Sequence, residues 1–251
     1  MPNTESFPAL AAIPGICHAF TTRAPGVDVA TDRETALARL APHHAAAAES
    51  LGFSAGALCT AEQIHGGIVE RAKRGESLPG ADGLWTDKAG DLLGIYVADC
   101  CAVFIVDRAR PAIALVHSGK KGTEAGIAPA VIRRLRDECG SRPEDLIVQL
   151  SPCIRPPLYE VDIAAEIRRT CAAEGVPAAQ IHDPMTCTGQ NVGRYYSYRV
   201  EMGKTGRMLA LLVTPVGAQD QVGQGARHTG CSICGAAPPF PKRSDWVIAL
   251  P

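Results

Sequence analysis

The sequence has no excess of charge of either sign: 25 Lys and Arg against 26 Asp and Glu leave a formal net charge of -1. That balance argues against the basic face that nucleic acid or an anionic membrane selects, so neither is expected as a partner. Nowhere does an apolar run approach the roughly 20 residues of a membrane span. The first residues, MPNTESFPAL, lack the basic stretch and continuous apolar segment of a secretory signal, and we expect a cytoplasmic protein. No internal repeat is visible, and no Gly-x-x-x-x-Gly-Lys-Ser/Thr loop is present for a nucleoside triphosphate.

Ten cysteines are present. In a chain of this length without an export signal they read as thiols or metal ligands, not as a disulfide framework. The 251 residues, 46% of them hydrophobic, suit one large domain with a sizeable core. We place that domain at residues 1–215. From about Val216 the composition shifts to Gly, Gln, Ala and Pro, which marks 216–251 as a segment appended to the same domain.

Gly15 to Arg23 reads as a strand, and Thr31 to Gly52 as a helix broken near Pro42, with Thr31 and Glu34 in capping-box spacing. Apolar runs at Leu92–Cys101, Ala102–Asp107 and Ala112–Gly119 supply further strands, the last two joined by a turn at Arg108 to Pro111. Thr123 to Cys139 reads as a helix because Ile127, Val131 and Leu135 share a face, with Thr123 as its N-cap. DLIVQLSP returns as a strand, YEVDIAAEIRRTCAAEG as a helix, and Tyr195 to Pro215 as a hairpin turning at Gly203 to Gly206. Strands outnumber helices and short turns join many of them. The fold class is therefore α+β, a layered domain with mixed sheets.

His65, Cys100 and His117 each fall where an apolar strand meets a turn, the place where a rigid sheet presents functional groups. Two imidazoles and a thiolate are a zinc-binding set that leaves a fourth position open. Taken singly, each is as readily a core thiol or a hydrogen-bonded imidazole. Cys100 and Cys101 cannot both point inward from a strand, and periodicity does not choose between them. Downstream, HSGKKGT leads into a helix, so its backbone N–H groups with Lys120, Lys121 and Thr123 are candidate contacts for an anion such as phosphate. RHTGCSICG adds a possible second metal site at His228, Cys231 and Cys234, one ligand short of a closed tetrahedral set.

In this order, FTTR (Phe20–Arg23), QIHG (Gln63–Gly66), ADGLWTD (Ala81–Asp87), VADC (Val97–Cys100), HSGKKGT (His117–Thr123), SPCIRPPLYEV (Ser151–Val161) and CT with YYSYR (Cys187, Thr188; Tyr195–Arg199) resemble the motifs of the YfiH, or laccase-domain, family. Members of that family have been described as multicopper polyphenol oxidases and, more recently, as purine nucleoside phosphorylases. The resemblance selects Cys100 over Cys101 and groups it with His65 and His117 as metal ligands and catalytic residues. Asp99 joins them as a catalytic candidate, and Gln63 and Arg199 as substrate or phosphate contacts. It implies a zinc enzyme, transferase and hydrolase in one, that phosphorolyses adenosine, inosine and methylthioadenosine and deaminates adenosine. Nucleoside and phosphate are the implied partners, although a cell-wall precursor is a conceivable substrate.

Three other readings stand beside it. A copper (Cu²⁺) polyphenol oxidase is the older family description, but seven histidines are few for a multicopper set. In a Cys–His hydrolase or deamidase, Cys100 would be nucleophile and His117 base. A catalytically altered binding protein is the third. The departures from the family pattern make it credible: Lys120 and Lys121 replace Trp and Arg, Ala102 replaces Pro, Ser151 and Arg155 replace glycines, and the segment after Tyr159 is shortened. Loss of the Trp and Arg removes an aromatic surface and a bidentate phosphate fork.

Overall fold

A computed structural model describes residues 2–214. The 216–251 segment and its His228, Cys231 and Cys234 lie outside the described residues. In chain order the elements are β1 (Thr4–Glu5), α1 (Pro8–Ala11), β2 (Cys17–Thr21), α2 (Arg33–Ser50), β3 (Leu58–Ala61), β4 (Val69–Arg71) and β5 (Ser77–Leu78). Then follow β6 (Gly83–Thr86), β7 (Leu92–Val97), β8 (Cys101–Asp107), β9 (Ile113–Ser118), α3 (Lys120–Glu124) and α4 (Ile127–Cys139). The last are β10 (Leu146–Leu150), α5 (Ile163–Ala173), β11 (Ile181–His182) and β12 (Met208–Val213). They form two six-stranded mixed sheets, ordered β1-β2-β12-β7-β3-β5 and β11-β10-β8-β9-β6-β4. The α+β layered fold is the one expected.

Strand alternation explains the layers. Leu93, Ile95 and Val97 of β7 and Met208, Ala210 and Leu212 of β12 face Ala102, Phe104 and Val106 of β8 and Ile113 and Leu115 of β9 in one core between the sheets. The intervening residues of β8 and β9, Cys101, Val103, Ile105, Ala114 and Val116, point the other way and pack under α4 and α5. On the first sheet Leu209, Leu211 and Val213 pack against Ala47 and Ala48 of α2 and Leu51 just after it. Each buried aliphatic side chain contributes roughly 1.5–3 kcal/mol, so two central sheets apolar on both faces make a rigid support.

Several local expectations are corrected. Pro42 sits inside a continuous α2, because burial of Ala36, Leu40, His44 and Ala47 outweighs the roughly 3 kcal/mol cost of an internal proline. That helix is capped by Asp32, whose carboxylate accepts the Thr35 N–H at 2.9 Å, and not by Thr31. The helix expected from Thr123 is two helices, α3 and α4, separated at Gly126 in the left-handed region (φ 71°). Thr123 lies within α3, whose N-cap is Gly119. The expected hairpin has only its second strand, β12. Tyr195 to Arg199 runs in turns, because Ser197 Oγ and the Arg199 N–H both donate to Asp99 instead of to a neighbouring strand.

His18 on β2 illustrates how burial sets ionisation in this core. Its Nε2 accepts the Phe7 N–H at 2.8 Å, and its ring stacks on Phe7 at 5.8 Å. Burial pulls its pKa down to about 4. The folded state therefore holds His18 neutral while the unfolded chain protonates near 6.5, so this contribution is intact above 6.5 and is lost as pH falls from there towards 4. We expect the unfolding free energy to fall by about 2 kcal/mol more in wild type than in His18→Gln between pH 7.5 and 5. Urea titrations at the two pH values check this, and parallel losses in the two proteins would contradict it.

Candidate metal centre

The three ligand candidates meet because the second sheet is in register. β8 and β9 pair antiparallel with Cys101 opposite Ser118, which carries Cys100, just before β8, to Gly119, just after β9. β6 pairs with β9 through Gly83 and Val116, and the His117 N–H donates to the carbonyl of Asp82 at 2.8 Å. The loop between β3 and β4 brings His65 across. The donor atoms of His65, Cys100 and His117 all lie within 4.8 Å of one another, with the two imidazoles edge to face at 4.8 Å.

Asp82, fully buried, holds this set in place. Its Oδ1 accepts the His65 N–H at 2.8 Å and lies 3.0 Å from His117 Nδ1, while Oδ2 accepts the Gly66 N–H at 2.6 Å. A carboxylate on Nδ1 leaves Nε2 of His117 as the ligand atom and raises its basicity. Burial works against charge at His117, but the hydrogen bonds to Asp82 and Cys100 outweigh it and lift the imidazole to about 9. At Cys100 burial pushes the thiol up, and hydrogen bonds from His117 and then His65 overcome this and bring it down to about 6. The sulfur is thus a thiolate near neutrality, the form that binds metal or attacks carbon.

A two-nitrogen, one-thiolate set with a buried carboxylate behind one imidazole fits zinc or copper by donor chemistry. With bonds of about 2.0–2.3 Å, tetrahedral ligand atoms sit roughly 3.3–3.8 Å apart, so only small side-chain closure is needed. Gly119 is obligatory here, since a Cβ at that position would lie 2.6 Å from Cys100 Sγ. Cys101 faces the opposite core and donates to the Ser151 carbonyl at 3.7 Å.

The set lies in a pocket of about 940 Å³, with Ile64, Ile154, Tyr159 and Tyr198 as apolar walls and Arg33, Lys120, Lys121, Arg199 and Arg207 as cations. Four of the five described non-glycine residues with positive φ line it: Gln63 (65°), His65 (64°), Asp99 (79°) and Met202 (51°). Such strained backbone clusters at functional sites.

The other candidates divide. Lys121 lines the pocket, exposed and without a carboxylate partner among the described residues. Lys120 and Arg199 also line it, but both bind Glu160, at 3.3 and 3.0 Å, and Arg199 lies over the Tyr159 ring at 4.9 Å. Asp99 turns both oxygens to Thr188 Oγ1 (2.6 Å), Ser197 Oγ (3.0 Å) and the Arg199 N–H (2.7 Å), tying three of the sequence motifs together. Gln63 brackets the main chain of Tyr96, donating at 2.6 Å and accepting at 2.9 Å. Thr123 is buried, with its hydroxyl on Ser118 Oγ at 2.8 Å. The residues sequence reasoning did not single out are Asp82, Arg33, Glu160 and Arg207. Of these Asp82 and Glu160 carried a signal, each an acidic residue within a recognised motif.

Fold and site together define a laccase-domain protein. The family model described as multi-copper polyphenol oxidoreductase laccase matches residues 17–168 and 159–215, and the chain belongs to that family. It is 32% identical over 227 residues to a purine nucleoside phosphorylase of Deinococcus radiodurans, covering 79% of this chain and 89% of that protein. It is 28% identical over 205 residues to purine nucleoside phosphorylase YlmD of Geobacillus stearothermophilus, covering 66% of this chain and 75% of that one. The crystal structure of YlmD from Geobacillus stearothermophilus superposes with a TM-score of 0.74 at 25% identity, over 86% of this chain and 100% of that chain.

Three substitutions test the centre. Asp82→Asn should weaken metal affinity about 10- to 100-fold by chelator competition. Unchanged affinity would remove Asp82 from the account. Gly119→Ala should displace the Cys100 sulfur and lower metal content, whereas Cys101→Ser should retain the metal, as elemental analysis would report.

Proposed function

We propose that this chain is a zinc-dependent purine nucleoside phosphorylase that accepts adenosine, inosine and methylthioadenosine and also deaminates adenosine. The observation that carries the reading is the convergence of His65, Cys100 and His117 on the wall of a pocket that also holds unpaired cations. A pocket of about 940 Å³ lies in the range of small-molecule sites. The phosphorylase names of relatives that share most of their length with this chain support the substrate class.

In phosphorolysis a phosphate oxygen forms a bond to the ribose C1′ while the bond from C1′ to the purine nitrogen breaks, and the base leaves with that electron pair and takes up a proton. In deamination a water oxygen adds at C6 and ammonia leaves. A zinc ion held by the three ligands would supply a Lewis acid and a route to hydroxide at neutral pH. The chain's own groups do the rest. Tyr159 and Tyr198, each within a motif shared with the family, offer the base apolar faces. Lys121 adds positive charge at the side of the pocket near His117. Asp99 and Gln63 act as positioning residues, fixing the turns that present Cys100, Arg199 and His65.

One observation favours a second reading. Cys100, His117 and Asp82 form a chain of hydrogen-bonding groups of the kind found in Cys–His hydrolases, with a lowered thiol and a raised imidazole. Turnover before and after chelation separates the two. The proposal expects phosphate-dependent release of free base that falls at least 10-fold on chelation and returns with zinc. Activity that persists or rises without metal would favour the hydrolase. Oxygen uptake with a phenol, restored by copper and not by zinc, would favour the oxidase.

A further inference from the structure

Arg207 is placed unlike the other cations of the pocket. It stands immediately before β12, half-buried, and its Nη1 donates to the carbonyls of Thr205 at 2.9 Å and Gly206 at 2.8 Å. These two bonds fix the guanidinium, while Nε and Nη2 make no hydrogen bond to another described residue. The ring of Tyr198 lies 5.7 Å from it. No carboxylate stands within ion-pair distance among the described residues, and its strongest charged neighbour is a second cation, Arg33 at the start of α2. Cys100 and Asp99 are also among its charged neighbours, and all three line the same pocket.

A half-buried cation is normally paired, and two together without a counter-ion repel. Elsewhere on the pocket Glu160 serves both Lys120 and Arg199, while the exposed Lys121 has no carboxylate partner among the described residues. The half-buried Arg207 and the exposed Arg33 have no such partner among the described residues, though both line the same cavity. An arginine whose plane is fixed and whose remaining N–H groups are free suits an oxyanion, because its fork needs little further ordering.

We infer that Arg207 and Arg33 form the receptor for a phosphate group in this pocket, and that the Lys120 and Arg199 pair does not. The inference rests on the phosphorylase reading for the kind of oxyanion, and names which cations receive it. The shared chemistry is a tetrahedral phosphate, either the free ion or the ester of a nucleotide. A free ion bound there would stand beside the reacting centre. An ester would extend the substrates to nucleoside monophosphates.

Calorimetric titration of the full, metal-loaded chain with inorganic phosphate, with adenosine 5′-monophosphate and with adenosine tests this at constant ionic strength. Wild type, Arg33→Met, Arg207→Met and Arg207→Lys are compared after their metal content is shown to be equal. We expect both Met variants to weaken a phosphate-bearing ligand about 10- to 100-fold, with adenosine changed less than about three-fold and Arg207→Lys intermediate. Weakening with inorganic phosphate identifies the free ion, and weakening with the monophosphate alone identifies the ester. Equal affinities in wild type and both Met variants, or no phosphate binding in wild type, overturn the inference. Should Arg207→Met fail to fold, Arg33→Met, on the first turn of α2, carries the test alone. If base release from nucleosides is absent while phosphate binding depends on Arg33 and Arg207, the phosphorylase reading fails and this one stands. Phosphorolysis with unchanged phosphate affinity in the variants is the reverse case.

Discussion

The carboxylate of Asp82 joins the loop between β3 and β4, the start of β6 and the end of β9. Through its side chain it fixes the His65–Gly66 turn and the His117 imidazole, and through its backbone it meets His117 N–H and the Ile68 carbonyl. Fully buried, it pairs with the His117 imidazole at 3.0 Å and is held ionised despite that burial, chiefly by the hydrogen bond with His117 and then by the Gly66 and His65 N–H groups. Removing any one donor would leave a buried charge under-solvated, which is costly enough to make the arrangement all-or-none. The approach of His65, and any ligation of a metal by His117 through Nε2, would therefore depend on one residue that does not line the pocket.

Asp99 does for the opposite wall what Asp82 does for the metal side. Its left-handed backbone turns the chain between β7 and Cys100, and its oxygens gather Thr188, Ser197 and Arg199 from segments about 90 to 100 residues away. The two carboxylates explain why sequence motifs so far apart end in one cavity. They also explain a pair of departures from the family pattern. Where the family has proline, Ala102 carries an N–H in a buried position, and Ser151, in place of a glycine, accepts it at 2.9 Å. The two changes satisfy each other, so neither disturbs the strand that presents Cys100. Likewise the lysine at position 120 is drawn to Glu160 on the rim, while aromatic surface comes from Tyr159 and Tyr198.

Much of this was legible in the residues. Continuous apolar runs marked the central strands, and a histidine or cysteine where such a run meets a turn marked the ligand candidates, because those signals are local; the choice of Cys100 over Cys101 came from the family resemblance. What was not legible depends on long-range closure. Nothing near Arg207 in sequence says that it faces Arg33, or that Glu160 will occupy Lys120 and Arg199. Gln63 and Thr123 have the chemistry of ligand contacts, yet satisfy main chain and a buried serine instead. The hairpin expected at Tyr195 failed for the same reason: Asp99, about 100 residues away, takes the Arg199 N–H that a partner strand would have used.

X-ray absorption at the metal edge, comparing wild type with Cys100→Ser, bears most directly on the central claim of a His65–Cys100–His117 centre. We expect a zinc edge with one sulfur at about 2.3 Å and nitrogens at about 2.0–2.1 Å, the sulfur vanishing in the variant. A sulfur shell identical in both proteins, or a site that fills only with copper, would contradict it.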